Sequence, residues 1–290
     1  MGEQVYGFIG LGNMGGHMSA NMARKGTSLL VYDKAGTAER APKGAAHAES
    51  AADIATRVET VFLCLPDGDI CGAVIDELLK ANPRTLKRVV DTSTIGIPAA
   101  EKGFETCKAA GVEYVDSPIS GGVAGARNAT LAVMFAGKAG TFELLRPVYE
   151  QMAKNVFQVG DRAGQGQAMK LLNNFLSGTA MAATSEAIAF GIGQGLEMKT
   201  MLDVLNVSTG QNTATADKFV NRVLPETYDA GFLAKLLYKD IRLYREAVTG
   251  AGTADPVSPA VAAVWQKLSE TDPDGDFTLV YPFVRDKKYL

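Results

Sequence analysis

The stretch Val5-Tyr6-Gly7-Phe8-Ile9-Gly10-Leu11-Gly12-Asn13-Met14-Gly15 sets the fold of this 290-residue chain. A short apolar run with the pattern of a buried strand ends at Ile9 and meets Gly-x-Gly-x-x-Gly. With 31 glycines in the chain, the triplet alone says little. Its setting says more. Met14, Met18, Met22 and Ala23 follow at helical spacing, and a second strand pattern, Ser28–Tyr32, leads into Asp33. Strand, glycine turn, helix, strand and acid is the order of a dinucleotide-binding unit. Gly10 permits the tight turn, Gly12 lets the backbone approach a pyrophosphate, and Gly15 lets the helix pack on the strand. Leu11, Asn13 and Met14 complete the cradle, and the helix start offers unpaired N–H groups to phosphate. A carboxylate at Asp33 accepts from a ribose 2′-OH and repels a 2′-phosphate, so NAD is the expected cofactor. Lys34 beside it leaves room for NADP.

Outward from this unit, strand patterns recur at Val61–Leu65, Arg88–Asp91, Glu113–Val115, Leu131–Phe135 and Val156–Val159. Helical patterns fall between most of them, as at Asp69–Lys80, Pro98–Ala110 and Thr141–Met152. This alternation predicts an α/β domain with a mainly parallel, doubly wound Rossmann sheet over residues 1–162. After about Gly160 the strand signal fades. A proline-free stretch from about 165 to 193 is apolar on nearly every face and predicts one long helix buried on several sides. It reads as a spine between domains or as part of a subunit interface. Further helical patterns at Lys199–Leu205, Ala214–Val223, Phe232–Val248 and Pro259–Leu268 make residues 163–290 an all-helical second domain.

Composition narrows the function. The chain is 47% hydrophobic and 21% charged, with a net charge of −3. These are the proportions of a globular protein, and they argue against an electrostatic nucleic-acid binder. No apolar stretch reads as a convincing membrane span, and no basic leader precedes the first strand; a cytoplasmic location is expected. Cys64, Cys71 and Cys107 show neither a zinc spacing nor a disulfide framework, and no metal site is expected.

A dinucleotide site names a cofactor class and not a reaction. Oxidising an alcohol requires a group to take the hydroxyl proton, and histidine is the usual candidate. The two histidines are His17, inside the fingerprint helix, and His47, between the second and third strand patterns; neither is placed for that task. No tyrosine is followed by lysine four residues later. Lys170 stands near the start of the long helix among apolar residues. Asn174 is one turn on along the same face, and Asn173 is close. Spacing leaves two readings open: a paired, buried lysine that exchanges protons, or one that carries its head out to solvent. Asp116-Ser117-Pro118-Ile119-Ser120-Gly121-Gly122 follows a strand and is equally open. Ser120 with the N–H groups of Gly121 and Gly122 could grip a carboxylate, or the segment could be a flexible loop.

Four segments in order resemble the β-hydroxyacid dehydrogenase family over essentially the whole chain. They are Phe8–Gly15, Asp116–Gly122, Gly164–Asn174 and Gly231-Phe232 followed by Lys239-Asp240. The resemblance implies a 6-phosphogluconate dehydrogenase-like architecture and hydride transfer between NAD(H) and a small 3-hydroxy acid such as 3-hydroxyisobutyrate. A reductase of a short semialdehyde or glyoxylate is the alternative, and a non-catalytic dinucleotide-binding scaffold a remote one. It implies Lys170 as general acid/base and Asn174 as its partner in placing the substrate. Ser120, Gly121, Gly122 and Asn173 hold the substrate. Leu65, Pro66, Thr94, Phe232 and Lys239 line the cofactor. NADP-using relatives often carry asparagine and arginine where this chain has Asp33-Lys34. The resemblance also implies a homodimer or homotetramer.

Overall fold

Phe8 and Ile9 are sequence neighbours that point to opposite faces of a sheet, and both are buried. A strand covered on both sides must be apolar along its whole length, which is why the strand patterns here are continuous rather than alternating. The computed structural model describes residues 4–288. It has nine strands: β1 (Val5–Ile9), β2 (Ser28–Tyr32), β3 (Ala46–His47), β4 (Thr60–Leu63), β5 (Arg88–Asp91), β6 (Glu113–Asp116), β7 (Ile119–Ser120), β8 (Leu131–Ala136) and β9 (Ala153–Gly160). Between them lie α1 (Gly15–Arg24), α2 (Thr37–Arg40), α3 (Ala51–Arg57), α4 (Gly68–Lys80), α5 (Ile97–Ala109), α6 (Gly122–Asn128) and α7 (Ala139–Tyr149).

The strands form one sheet in the order β3-β2-β1-β4-β5-β6-β8-β7, with β9 on β8. β1 pairs in parallel with both β2 and β4, so the strand order reverses beside it. Ligands of such sheets bind outside the carboxyl ends of the strands at this reversal. The antiparallel pairings are those of β8 with β6 and β7. Side chains on one face gather Phe8, Phe62, Phe135 and Tyr149, and those on the other Ile9, Ile54, Leu63 and Ile75. The strands and helices foreseen from the sequence form within a few residues of their expected limits. β3, β7, α2, α3 and α6 were not legible, because pieces this short carry too little periodicity. The glycine-rich stretch after Asp116 is therefore an edge strand leading into a helix rather than a loop throughout.

The chain divides into two compact units, Met1–Lys170 and Leu171–Leu290. The boundary falls inside α8 (Gln165–Gly193), which forms as one unbroken helix of 29 residues. α9 (Met198–Leu205), a π-helix (Ala214–Val223), α10 (Ala234–Ala251), α11 (Ser258–Thr271), a short 3-10 turn (Phe277–Leu279) and α12 (Val280–Arg285) follow. The second unit packs around Trp265, Phe219, Phe277 and Met181. Trp265 Nε1 donates to the Gly178 carbonyl at 3.2 Å. Residue 178 must be small there, since a Cβ would sit 2.9 Å from Ile241.

α8 is not buried on several sides. One stripe of it is, through Leu171, Asn174, Gly178, Met181, Ser185 and Ile188, spaced by threes and fours. The opposite side keeps Leu172, Leu176 and Phe190 in solvent. Its apolar character all round thus comes from two different faces, one of them uncovered in the monomer. By length and mean hydropathy (1.2) alone, α8 would also suffice to cross a membrane, a test that core helices pass as well. Many small alanine, glycine and serine residues hide that hydropathy from a reading of long apolar side chains.

Candidate active site

The three fingerprint glycines are glycine for different reasons. Gly10 sits at φ +93°, and a Cβ there would lie 2.2 Å from the Cys64 carbonyl oxygen. A Cβ on Gly15 would lie 1.9 Å from the Gly10 carbonyl oxygen. Both are required by the fold itself. A Cβ on Gly12 would meet nothing within 4 Å. No neighbour in the protein requires glycine at this position, so the open backbone fits close approach by a ligand pyrophosphate. α1 begins without an acidic residue in its first turn and without a side-chain cap, which suits an anion at its N-terminus.

Asp33 follows β2. Its Oδ2 accepts from the Leu11 N–H at 2.7 Å and its Oδ1 from the Ala35 N–H at 2.8 Å, so the carboxylate braces the glycine turn. Arg40 lies 3.8 Å from Oδ2. Lys34 is the cation that the sequence places beside Asp33; Arg40 is a second one, which α2 brings back towards it. Leu65 and Pro66 follow β4, and Thr94 follows β5. The Leu65 N–H donates to Ser93 Oγ at 2.8 Å, and the Ser93 N–H to Asp91 Oδ1 at 2.9 Å. Tyr114 OH donates to Asp91 Oδ2 at 3.2 Å. Burial raises the Asp91 carboxyl above its usual range. Leu11, Asp33, Leu65, Pro66 and Thr94 thus stand at the carboxyl ends of β1, β2, β4 and β5, with Asp33 tied to Leu11 and Leu65 tied through Ser93 to Asp91 by hydrogen bonds that spacing could not reveal.

Ser120 closes β7, opposite Ala132 of β8. Gly121 and Gly122 follow at φ +132° and +63°, which side chains rarely accept. α6 begins there. Asn21 of α1 donates to the Ala126 carbonyl at 2.6 Å, fastening the helix after the Ser120–Gly122 turn to the fingerprint helix. At the base of the turn, buried Asp116 accepts from the Gly164 and Gln167 N–H groups, at 2.9 and 3.1 Å, at the start of α8. Lys170 stands one turn further along that helix.

In the second unit, Asn174 is buried and donates through Nδ2 to Asp240 Oδ2 at 2.6 Å. Its Oδ1 accepts from Asn173 Nδ2 at 3.0 Å. A carboxylate only accepts, so Asp240 fixes which way the Asn174 amide points. Lys239 Nζ lies 3.3 Å from the other Asp240 oxygen. Asp240 is buried, and its part in holding Asn174 was not read from the sequence. The available signal was its position on the stripe of α10 that buries Ala234, Leu237 and Ile241. The Gly231 and Phe232 N–H groups donate to Asp276 Oδ2 at 2.7 and 3.2 Å, and the Phe232 ring meets Phe277 edge-on. Of the two histidines, His47 is exposed and His17 lies half-buried in α1.

The NAD-binding domain of 6-phosphogluconate dehydrogenase matches residues 5–160 of this sequence. The NAD-binding region of NADP-dependent 3-hydroxyisobutyrate dehydrogenase matches residues 164–284. A 3-hydroxyisobutyrate dehydrogenase of Pseudomonas aeruginosa is 33% identical, covering 97% of this chain and 98% of its own. The chain belongs to the β-hydroxyacid dehydrogenase family. Among other relatives of this hydroxyacid dehydrogenase, an NAD-dependent L-serine dehydrogenase of the same organism is 33% identical over 94% of this chain and 95% of its own. The Mycobacterium tuberculosis 3-hydroxyisobutyrate dehydrogenase with L-serine superposes with a TM-score of 0.89 at 31% identity, covering 98% of this chain and 100% of that one. As a family member, the protein is a nicotinamide-dependent oxidoreductase acting on the CH–OH group of small hydroxy acids.

Proposed function

We propose that this hydroxyacid dehydrogenase oxidises a small 3-hydroxy acid of the 3-hydroxyisobutyrate type, with Lys170 as general acid/base. The observation that carries the reading is the ordered polar row on α8: Lys170, then Asn174 one turn on, with its amide fixed by Asp240. Asn174 keeps a second N–H to direct at a substrate oxygen. When bound, the dinucleotide supplies or takes up the hydride. Lys170 takes the hydroxyl proton in oxidation, returns it in reduction, and as an ammonium stabilises developing alkoxide charge. Ser120, Gly121, Gly122 and Asn173 hold the carboxylate. The cradle Gly10–Gly15 and Asp33, with Leu65, Pro66, Thr94, Phe232 and Lys239, holds NAD. In this reading residues 1–162 bind the dinucleotide, and residues 163–290 complete the substrate site and the oligomer.

The braced Asp33 supports preference for NAD, and Arg40 beside it supports measurable use of NADP. The exposed apolar side of α8 supports a homodimer or homotetramer. Three free thiols suit a reducing, cytoplasmic setting.

Turnover on a panel of 3-hydroxy acids, and on semialdehydes and glyoxylate with NADH, tests the substrate class; kcat/KM with NAD is expected to exceed that with NADP. Lys170→Ala is expected to lower kcat about 100-fold to 10,000-fold while NADH still binds. Near-normal turnover of that variant overturns the lysine assignment, and tight NADH binding without turnover on any panel member supports a scaffold instead.

A further inference from the structure

Gln167 does not stand out in its sequence context, yet its side chain makes four hydrogen bonds. It is buried, and its carboxamide uses its full hydrogen-bonding capacity. Oε1 accepts from the Ile95 N–H at 2.9 Å and the Gly96 N–H at 3.1 Å. Nε2 donates to the Ser93 carbonyl at 3.1 Å and to Asp116 Oδ1 at 2.8 Å. The other Asp116 oxygen takes the Gly164 and Gln167 N–H groups. A helix usually caps its first turn with a nearby Ser, Thr, Asp or Asn. α8 is capped instead by a carboxylate some 50 residues earlier in the chain, at the end of β6. The approach depends on Gly166, where a Cβ would lie 2.9 Å from the Asp116 carboxylate.

Three segments meet at this pair. Ser93, Ile95 and Gly96 flank Thr94, Asp116 opens the turn that ends in Ser120–Gly122, and Gln167 lies one helical turn before Lys170. We propose that Gln167 and Asp116 are positioning residues for proton transfer: they lock the start of α8, and through it Lys170, in register with the Thr94 loop and the Ser120 turn. The inference rests on Lys170 being the acid/base. Rigid placement matters because an error of about 1 Å in a reacting group can cost about 100-fold in rate.

The polarity of the pair supplies the test. Asp116→Asn turns an amide donor towards the donating Nε2 of Gln167; flipping the Gln167 amide only moves the conflict to the Ile95 and Gly96 N–H groups. Gln167→Glu sets two carboxylates against each other. In the double variant D116N/Q167E the new amide at 116 donates to the new carboxylate at 167 and Ile95 and Gly96 keep their acceptor, while the Ser93 carbonyl loses its donor, so recovery is partial. Each single variant is expected to lose kcat about 100-fold. NADH affinity, read by fluorescence titration, stays within about 3-fold, and the double variant recovers at least about 10-fold of the lost kcat. In the cofactor-free protein, amide hydrogen exchange over residues 164–172 accelerates in the singles and slows again in the double.

Unchanged kcat in folded single variants overturns the proposal. So does a loss that tracks a fallen Tm and weakened NADH binding, or a double variant with no recovery. If the singles do not fold, Gly166→Ala pushes on Asp116 without removing a hydrogen bond, and wild-type kcat there overturns the proposal equally. Lys170→Ala is measured alongside. If that variant stays active, the acid/base reading has failed; if it is inactive while the Gln167 and Asp116 variants are normal, only the positioning role has failed.

Discussion

At the scale of single residues, what was readable was chemistry that a side chain carries with it. Lys170, Asn174 and Asp33 stood out because a lysine on an apolar helix, an amide one turn away and an acid after a second strand are unusual wherever they fall. Asp116, Gln167 and Asp240 did not, because their significance lies in partners 48 to 74 residues away. Burial raises the Asp116 carboxyl from 3.8 to about 6, against the pull of its Gln167 and Gly164 hydrogen bonds. In the unfolded chain it ionises first, so between pH 4 and 6 the folded state holds the extra proton. Ionised Asp116 therefore costs folding about 3 kcal/mol at pH 7, a cost relieved as pH falls through that window. Relative to Asp116→Asn, the wild type is expected to gain stability by about that amount between pH 7 and pH 4, read by urea unfolding at each pH. A gap that does not vary with pH would show that the carboxyl titrates normally.

At the scale of elements, the strand–turn–helix at the N-terminus was legible because its glycines are spaced by local geometry. The structure separates their duties. Gly15→Ala drives a Cβ into the Gly10 carbonyl and is expected to lower Tm by several degrees. Gly12→Ala meets no protein atom within 4 Å and is expected to fold with Tm nearly unchanged, while NAD affinity falls about 10-fold or more. Thermal unfolding and NAD titration of the two variants distinguish these outcomes. Unaltered NAD affinity in Gly12→Ala would remove this turn from the cofactor site. The α8 limits were equally clear, since 29 proline-free residues admit little else. The π-helix and the short helix α6 were not fully foreseeable: a wider winding and a two-turn helix both depend on what packs against them.

At the scale of the whole molecule, the face of α8 that stays out of the core is the main unexplained surface. Leu176 is 61% exposed and Phe190 69%. Covering them in a homo-oligomer fits the proposed dimer or tetramer. Leu176→Glu with Phe190→Glu is expected to yield monomers in sedimentation, with each monomer still folded. Flotation of the wild-type protein with lipid vesicles in place of self-association would assign that face to a membrane.

Sequence by itself determined the order of strands and helices in the first half, the helical second half and the glycine turn after β1, because these rest on periodicity and local backbone demands. The family resemblance added the reaction. Only the tertiary structure decided which of α8's apolar faces is core, that Asp240 orients Asn174, and that Asp116 and Gln167 fasten the lysine helix to the carboxyl ends of β5 and β6. The reason is physical: a buried polar group is stable only where its partners arrive, and those partners come from distant segments that the fold alone brings together.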